Sequence, residues 1–101
     1  MATLVKVGTA NDLKDGQAKV VNANGTEIAL YNVKGKYFAT QNNCLHRNGP
    51  LGEGALEGET ITCPWHGWQY DVKTGENQVS KAIKLQVYKV EVKGEELFIE
   101  V

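Results

Sequence analysis

Hydrophobic positions alternate with polar ones in short runs that end at glycine- or asparagine-containing turns, and no stretch makes a convincing helix. Leu4, Val5, Lys6 and Val7 read as a short first strand. Residues 18–21 and 26–33 flank Asn24-Gly25, a pair that tolerates positive φ and favours a tight hairpin turn. Lys34-Gly35 then turns the chain into residues 36–39, which lets Tyr31 pair with Phe38 across a second hairpin. Near the end, Leu85 and Val87 alternate with polar residues, while Val90 and Val92 alternate in the other phase. That slip predicts a β-bulge at Tyr88-Lys89. Gly94 marks a turn into Leu97, Ile99 and Val101, which share one face. Residues 9–16 admit a helical turn begun by Thr9 or Asn11 and stopped by Gly16. The expected fold class is all-β: a small sandwich or barrel of short antiparallel strands.

The middle of the chain breaks this pattern. Residues 41–54, QNNCLHRNGPLGEG, are polar and glycine-rich, and residues 63–67, CPWHG, again interrupt alternation. Between them, Ala55-Leu56-Glu57 and Thr60-Ile61-Thr62 read as a hairpin turned at Gly58-Glu59. Two loops joined by a hairpin therefore project from a regular strand framework. Repeats, low-complexity tracts and linkers are absent from the sequence.

Composition narrows the class. A length of 101 residues suits one domain, residues 1–101, and 42% hydrophobic with 23% charged residues are globular values. Eleven basic against twelve acidic side chains give a net charge of −1, with Arg47 the single arginine. Such a balance disfavours a nucleic-acid partner. No apolar run approaches a membrane span, and no basic stretch followed by an apolar one opens the chain, so a soluble cytoplasmic protein is expected.

The sequence holds two cysteines and two histidines, and all four lie in the insert: Cys44-x-His46, then Cys63-x-x-His66. Each loop offers one sulfur and one nitrogen. A hairpin that returns the second loop beside the first gives an S₂N₂ set, which suits zinc or an iron–sulfur cluster. Other readings stand beside this one: cysteines as core hydrophobes with surface histidines, or a Cys44–Cys63 disulfide. The disulfide leaves both histidines unexplained, and structural zinc sites favour C-x₂₋₄-C knuckles over C-x-H.

C-x-H, about sixteen residues, then C-P-W-H-G resembles the Rieske [2Fe–2S] signature, closely over about residues 41–76 and loosely in the flanking strands. The resemblance implies a framework of antiparallel strands carrying a cluster-binding subdomain of two loops and a hairpin. It also implies one [2Fe–2S] cluster, with Cys44 and Cys63 on one iron and His46 and His66 on the other. Two imidazoles in place of two thiolates raise the potential from about −400 mV to a range of roughly −150 to +300 mV. Gly49, Gly52 and Gly67 are expected to let backbone approach the cluster. Tyr70 matches a family tyrosine that bonds a cysteine sulfur. Trp65 is either a shield or contact surface for the cluster or a packing element, as is Trp68. Arg47 can pair with Glu53 or Glu57, or steer a partner.

Departures from the family pattern narrow the kind. Rieske proteins of respiratory and photosynthetic complexes carry an extra cysteine in each loop, joined as a disulfide; here Gly49 and Trp65 stand at those positions. Trp68 replaces their serine that bonds a bridging sulfide, so a potential in the lower part of the family range is expected. The wording C-x-W-H-G-W-x-Y-D is close to the Rieske domains of aromatic-ring oxygenases, yet no histidine beyond His46 and His66 remains for a second iron. The resemblance thus implies a free-standing ferredoxin, a monomeric one-electron carrier rather than an enzyme. Its partners would be a flavin-dependent reductase as donor and a terminal oxygenase as acceptor. A small Rieske subunit fixed in a larger oxidoreductase, or a non-redox metal-stabilised binding module, are the alternatives. Residues 78–82, a third loop near the cluster, lack the family's frequent proline, which implies a more mobile or differently shaped loop.

Overall fold

Two-residue turns organise the first half of the chain. In the computed structural model, which describes residues 4–44, 49–65, 67–80 and 82–100, Asn24 and Lys34 have φ of 54° and 51°, and the glycines after them 89° and 85°. Both pairs take the doubly left-handed turn whose twist matches that of antiparallel strands. Among the described residues the strands in chain order are β1 (Leu4–Thr9), β2 (Ala18–Ala23), β3 (Thr26–Val33), β4 (Lys36–Gln41), β5 (Ala55–Glu57), β6 (Thr60–Thr62), β7 (Gln69–Asp71), β8 (Val87–Tyr88), β9 (Val90–Lys93) and β10 (Glu96–Glu100). They form three antiparallel sheets, ordered β2-β3-β4-β8, β1-β10-β9 and β5-β6-β7. Tyr31 pairs with Phe38, and β5 and β6 close around Gly58-Glu59, as the sequence predicts.

β3 connects the two halves of the core. Its sequence after Glu27 is a continuous buried run rather than an alternation, the mark of a strand covered on both faces. Ile28 and Leu30 face a framework core with Val21, Ala39, Leu97 and Ile99. Ala29, Tyr31 and Val33 face the other way, into a core shared with Cys44, Leu51, Ile61, Cys63, Tyr70 and Leu85. Burying each large aliphatic side chain here stabilises the fold by about 1.5–3 kcal/mol. The polar groups taken inside are paired: the Tyr31 and Thr40 hydroxyls lie 2.8 Å apart, and Asn32 Nδ2 donates to the Leu13 carbonyl at 2.9 Å.

The phase change at Tyr88-Lys89 is not a bulge. β8 pairs with β4 in one sheet and β9 with β10 in another, so the chain passes between sheets at Lys89. A bulge and a sheet change produce the same shift of alternation, and only the partner strand separates them. Val87 and Val92 are exposed. A register slip lies instead in β1, between Lys6 and Gly8 opposite β10. The helical turn expected after Thr9 is a 3₁₀ turn, Ala10–Asp12, with the Asp12 carboxylate accepting the Thr9 N–H at 3.0 Å. Leu97 and Ile99 share the buried face assigned to them, while Val101 lies outside the described residues.

Candidate metal centre

Two loops of like construction bring the cysteines together. In the first, Asn42 accepts the Leu51 N–H on its carbonyl at 2.8 Å and the Gly52 N–H on its side-chain oxygen at 2.9 Å. Asn43 and Pro50 form the next bridge, and the Cys44 N–H donates to the Gly49 carbonyl at 2.9 Å. In the second loop, which leaves β6 and enters β7, the Cys63 N–H donates to the Trp68 carbonyl at 2.7 Å. Each cysteine thus opens a loop that closes five positions later. His46 and Arg47 fall within the first closure and His66 within the second, and all three lie outside the described residues.

Both sulfurs are buried; Cys44 is 1% exposed and Cys63 2%. They are free thiols that come close enough to interact, and no disulfide joins them. Burial pushes the Cys63 thiol above its ordinary pKa, a backbone N–H of Trp65 pulls it partway back, and the neighbouring Cys44 thiol adds to the rise. The Tyr70 hydroxyl, fully buried on β7, lies 3.4 Å from Cys44 Sγ. Gly49 closes the first loop directly against the second: a Cβ there would stand 2.7 Å from Cys63 Sγ and 3.2 Å from the Trp65 Cβ. No side chain fits in that space without displacing the sulfur.

The other sequence candidates divide. Trp65 is half exposed beside Gly49, whereas Trp68 packs on the core at a ring-centroid distance of 6.5 Å from Tyr70. Gly52 is a packing glycine: a Cβ there would stand 2.6 Å from a Val20 methyl and 2.8 Å from the Val20 nitrogen, not against the sulfurs. Gly67 needs glycine for its backbone, with φ of 74°. The third loop, apart from Lys81, lies within the described residues and is fastened by Asn77, whose side-chain oxygen accepts the Val79 and Ser80 N–H groups at 2.8 and 3.2 Å. Asn42 and Asn77 do structural work that the sequence reading missed, because an asparagine in a loop signals only a turn until its burial is known.

The donor chemistry fits a [2Fe–2S] cluster on the sulfur side: two soft thiols buried side by side from separate loops, with a glycine where a Cβ would crowd one of them. The sequence profile of the Rieske [2Fe–2S] domain matches residues 3–97. The chain belongs to the Rieske family. Rieske membership brings with it a [2Fe–2S] cluster ligated by two cysteines and two histidines. Among Rieske proteins the chain is 37% identical over 97 residues to Ferredoxin CarAc of Metapseudomonas resinovorans, covering 94% of this chain and 91% of that one. It is 40% identical over 84 residues to the ferredoxin component of the naphthalene 1,2-dioxygenase/salicylate 5-hydroxylase systems of a Ralstonia species, covering 80% and 81%. The ferredoxin of carbazole 1,9a-dioxygenase from Nocardioides aromaticivorans superposes with a TM-score of 0.89 at 29% identity, over 96% of each chain. A chain in a complex of reduced oxygenase and oxidised ferredoxin of carbazole 1,9a-dioxygenase superposes at 0.85 and 36% identity, over 95% and 91%. This Rieske-type ferredoxin is therefore homologous to the ferredoxin components of ring-hydroxylating dioxygenases, electron carriers rather than catalytic oxygenases.

Proposed function

We propose that the chain takes single electrons from a flavin-dependent reductase and delivers them to a terminal ring-hydroxylating oxygenase. The cluster would be held by Cys44 and Cys63 on one iron and by His46 and His66 on the other. When bound, it supplies a centre that accepts and releases one electron in the Rieske potential range, roughly −150 to +300 mV. The observation that carries this reading is the pair of buried thiols from two separately closed loops, packed against Gly49 and Tyr70.

The protein's own residues do three things there. Leu51, Ile61, Val72 and Leu85 keep the sulfur side dry. The Tyr70 hydroxyl at Cys44 and the Trp65 backbone N–H at Cys63 would act as donors to the two sulfurs and so favour the more negative, reduced form of a bound cluster. Trp65, half exposed beside the sulfurs, leaves an apolar approach to them. The sequence holds two histidines, both assigned to the cluster in this reading, so the chain carries no second iron site of its own.

The oxygenase as acceptor is supported by the solved oxygenase–ferredoxin complex, one chain of which superposes on this one. In this reading residues 1–101 are one Rieske domain, with residues 41–76 as its cluster-binding part. The protein works as a cytoplasmic monomer, and no described helix is long and apolar enough to cross a membrane. Reconstitution tests the proposal. Mixing with a flavin reductase and a ring-hydroxylating oxygenase should give electron flow that depends on this chain. Failure of any such pair to reduce and reoxidise it, or permanent co-purification with a larger enzyme, would overturn the free-carrier role.

A further inference from the structure

Asn77 is one of four buried polar residues among those described, and it sits where the strand bearing Tyr70 meets the third loop. Its backbone lies opposite Tyr70 in an isolated antiparallel bridge, and its N–H donates to the Ile83 carbonyl at 2.9 Å. Its side-chain oxygen accepts two consecutive N–H groups, from Val79 at 2.8 Å and Ser80 at 3.2 Å. The Gln78 N–H donates to the Gln69 carbonyl at 3.0 Å, which ties the same loop to β7. Apolar packing does not hold the tip, because Val79 is 95% exposed. Asn77 holds it by hydrogen bonds instead.

The loop so held is a wall. Gln78, Val79, Ser80 and Ile83 face Gly67 and Trp68 across a cavity of about 230 Å³. The Trp68 carbonyl in turn accepts the Cys63 N–H. We propose that Asn77 is a positioning residue: by fixing the third loop against the Cys63 loop it sets how much water reaches that side of the centre. This inference rests on the carrier reading above.

The test uses the cluster-loaded protein and its Asn77→Ala and Asn77→Asp variants. Two properties are read: amide hydrogen exchange at Val79 and Ser80, and the midpoint potential. In Asn77→Ala the two amides should exchange about tenfold faster or more, since each loses an acceptor. The midpoint should rise, because water admitted beside the centre favours the reduced form, which carries one more negative charge. Asn77→Asp keeps an acceptor for both N–H groups and should restore slow exchange, while its added negative charge moves the midpoint below that of the wild type. Should Asn77→Ala not fold, Asn77→Ser, with a weaker acceptor, should give faster exchange and a smaller rise. Unchanged exchange in the Ala or Ser variant, or faster exchange with an unmoved midpoint, overturns the positioning role. A wild-type protein that cycles normally beside variants that match it sinks this inference alone. A wild type with no reversible couple sinks the carrier reading and this inference with it.

Discussion

The framework and the loop-bearing insert are held by different means, although β3 serves both. On the framework side Ile28 and Leu30 meet Leu97 and Ile99 across regular sheets, and the turns are dictated by Asn-Gly and Lys-Gly pairs. On the insert side the core contains the two sulfurs themselves, and the loops are closed by backbone bonds at Cys44 and Cys63 and by the side chain of Asn42. Framework residues therefore bear on whether the protein folds, while on the proposed ligand set insert residues would also determine whether it holds and tunes a cluster. Matched substitutions on the two sides separate these effects.

The largest effect is expected from core truncation. Ile28→Ala and Ile61→Ala each empty a fully buried site and should cost about 2–5 kcal/mol in chemical unfolding. Only Ile61→Ala should also lower the iron retained per folded protein; equal retention in both variants would break the comparison. Glycine substitutions come next. A Cβ at Gly49 would stand 2.7 Å from Cys63 Sγ, so Gly49→Ala should weaken cluster retention by about 10- to 100-fold, the scale of an overpacked site. Gly25 has open space around it but φ of 89°, so Gly25→Ala should cost roughly 1–2 kcal/mol of folding stability and leave the iron content unchanged.

The buried tyrosines give a finer comparison. Tyr31 shares a hydrogen bond with Thr40, and Tyr70 one with the Cys44 sulfur. Each hydroxyl is worth about 1 kcal/mol. Tyr31→Phe should show this in stability alone. Tyr70→Phe should lower the midpoint by roughly 40 mV, because the lost donor favours the more negative reduced form. An unmoved midpoint would remove Tyr70 from the tuning of the site.

The smallest effect lies at the framework's first turn. The Thr9 N–H holds the Asp12 carboxyl below its ordinary value. A depressed folded pKa contributes stability present above the unfolded carboxylate pKa and lost as pH falls through the folded one. Asp12→Asn should therefore flatten slightly the acid limb of stability against pH, read by thermal melts, without changing the midpoint potential at neutral pH.

The two halves were unequally legible in the sequence. Asn24-Gly25 and Lys34-Gly35 specify their turns locally, and the Tyr31–Phe38 register follows from turn length, so β2, β3 and β4 could be read directly. β7 was missed because only three residues form it, too short a run beside a tryptophan-bearing loop to stand out, and its pairing with β6 is a tertiary event. The shift at Lys89 was misread because alternation reports which face a side chain takes, not which sheet its strand joins. At the candidate site, the meeting of Cys44, Cys63 and Tyr70 was legible through their spacing and resemblance. The clamps at Asn42 and Asn77 and the packing role of Gly52 depend on neighbours far along the chain, which one-dimensional spacing does not encode.

A redox titration of the anaerobically purified protein, followed by its electron paramagnetic resonance and by iron and sulfide content, tests the central claim most directly. The expected result is two irons and two sulfides per chain and one reversible electron, with a Rieske-type resonance and a midpoint in the lower part of the range of about −150 to +300 mV. Zinc without sulfide, or no reversible couple, would contradict the electron-carrier account; a midpoint above about +200 mV would contradict the tuning assigned to its loops.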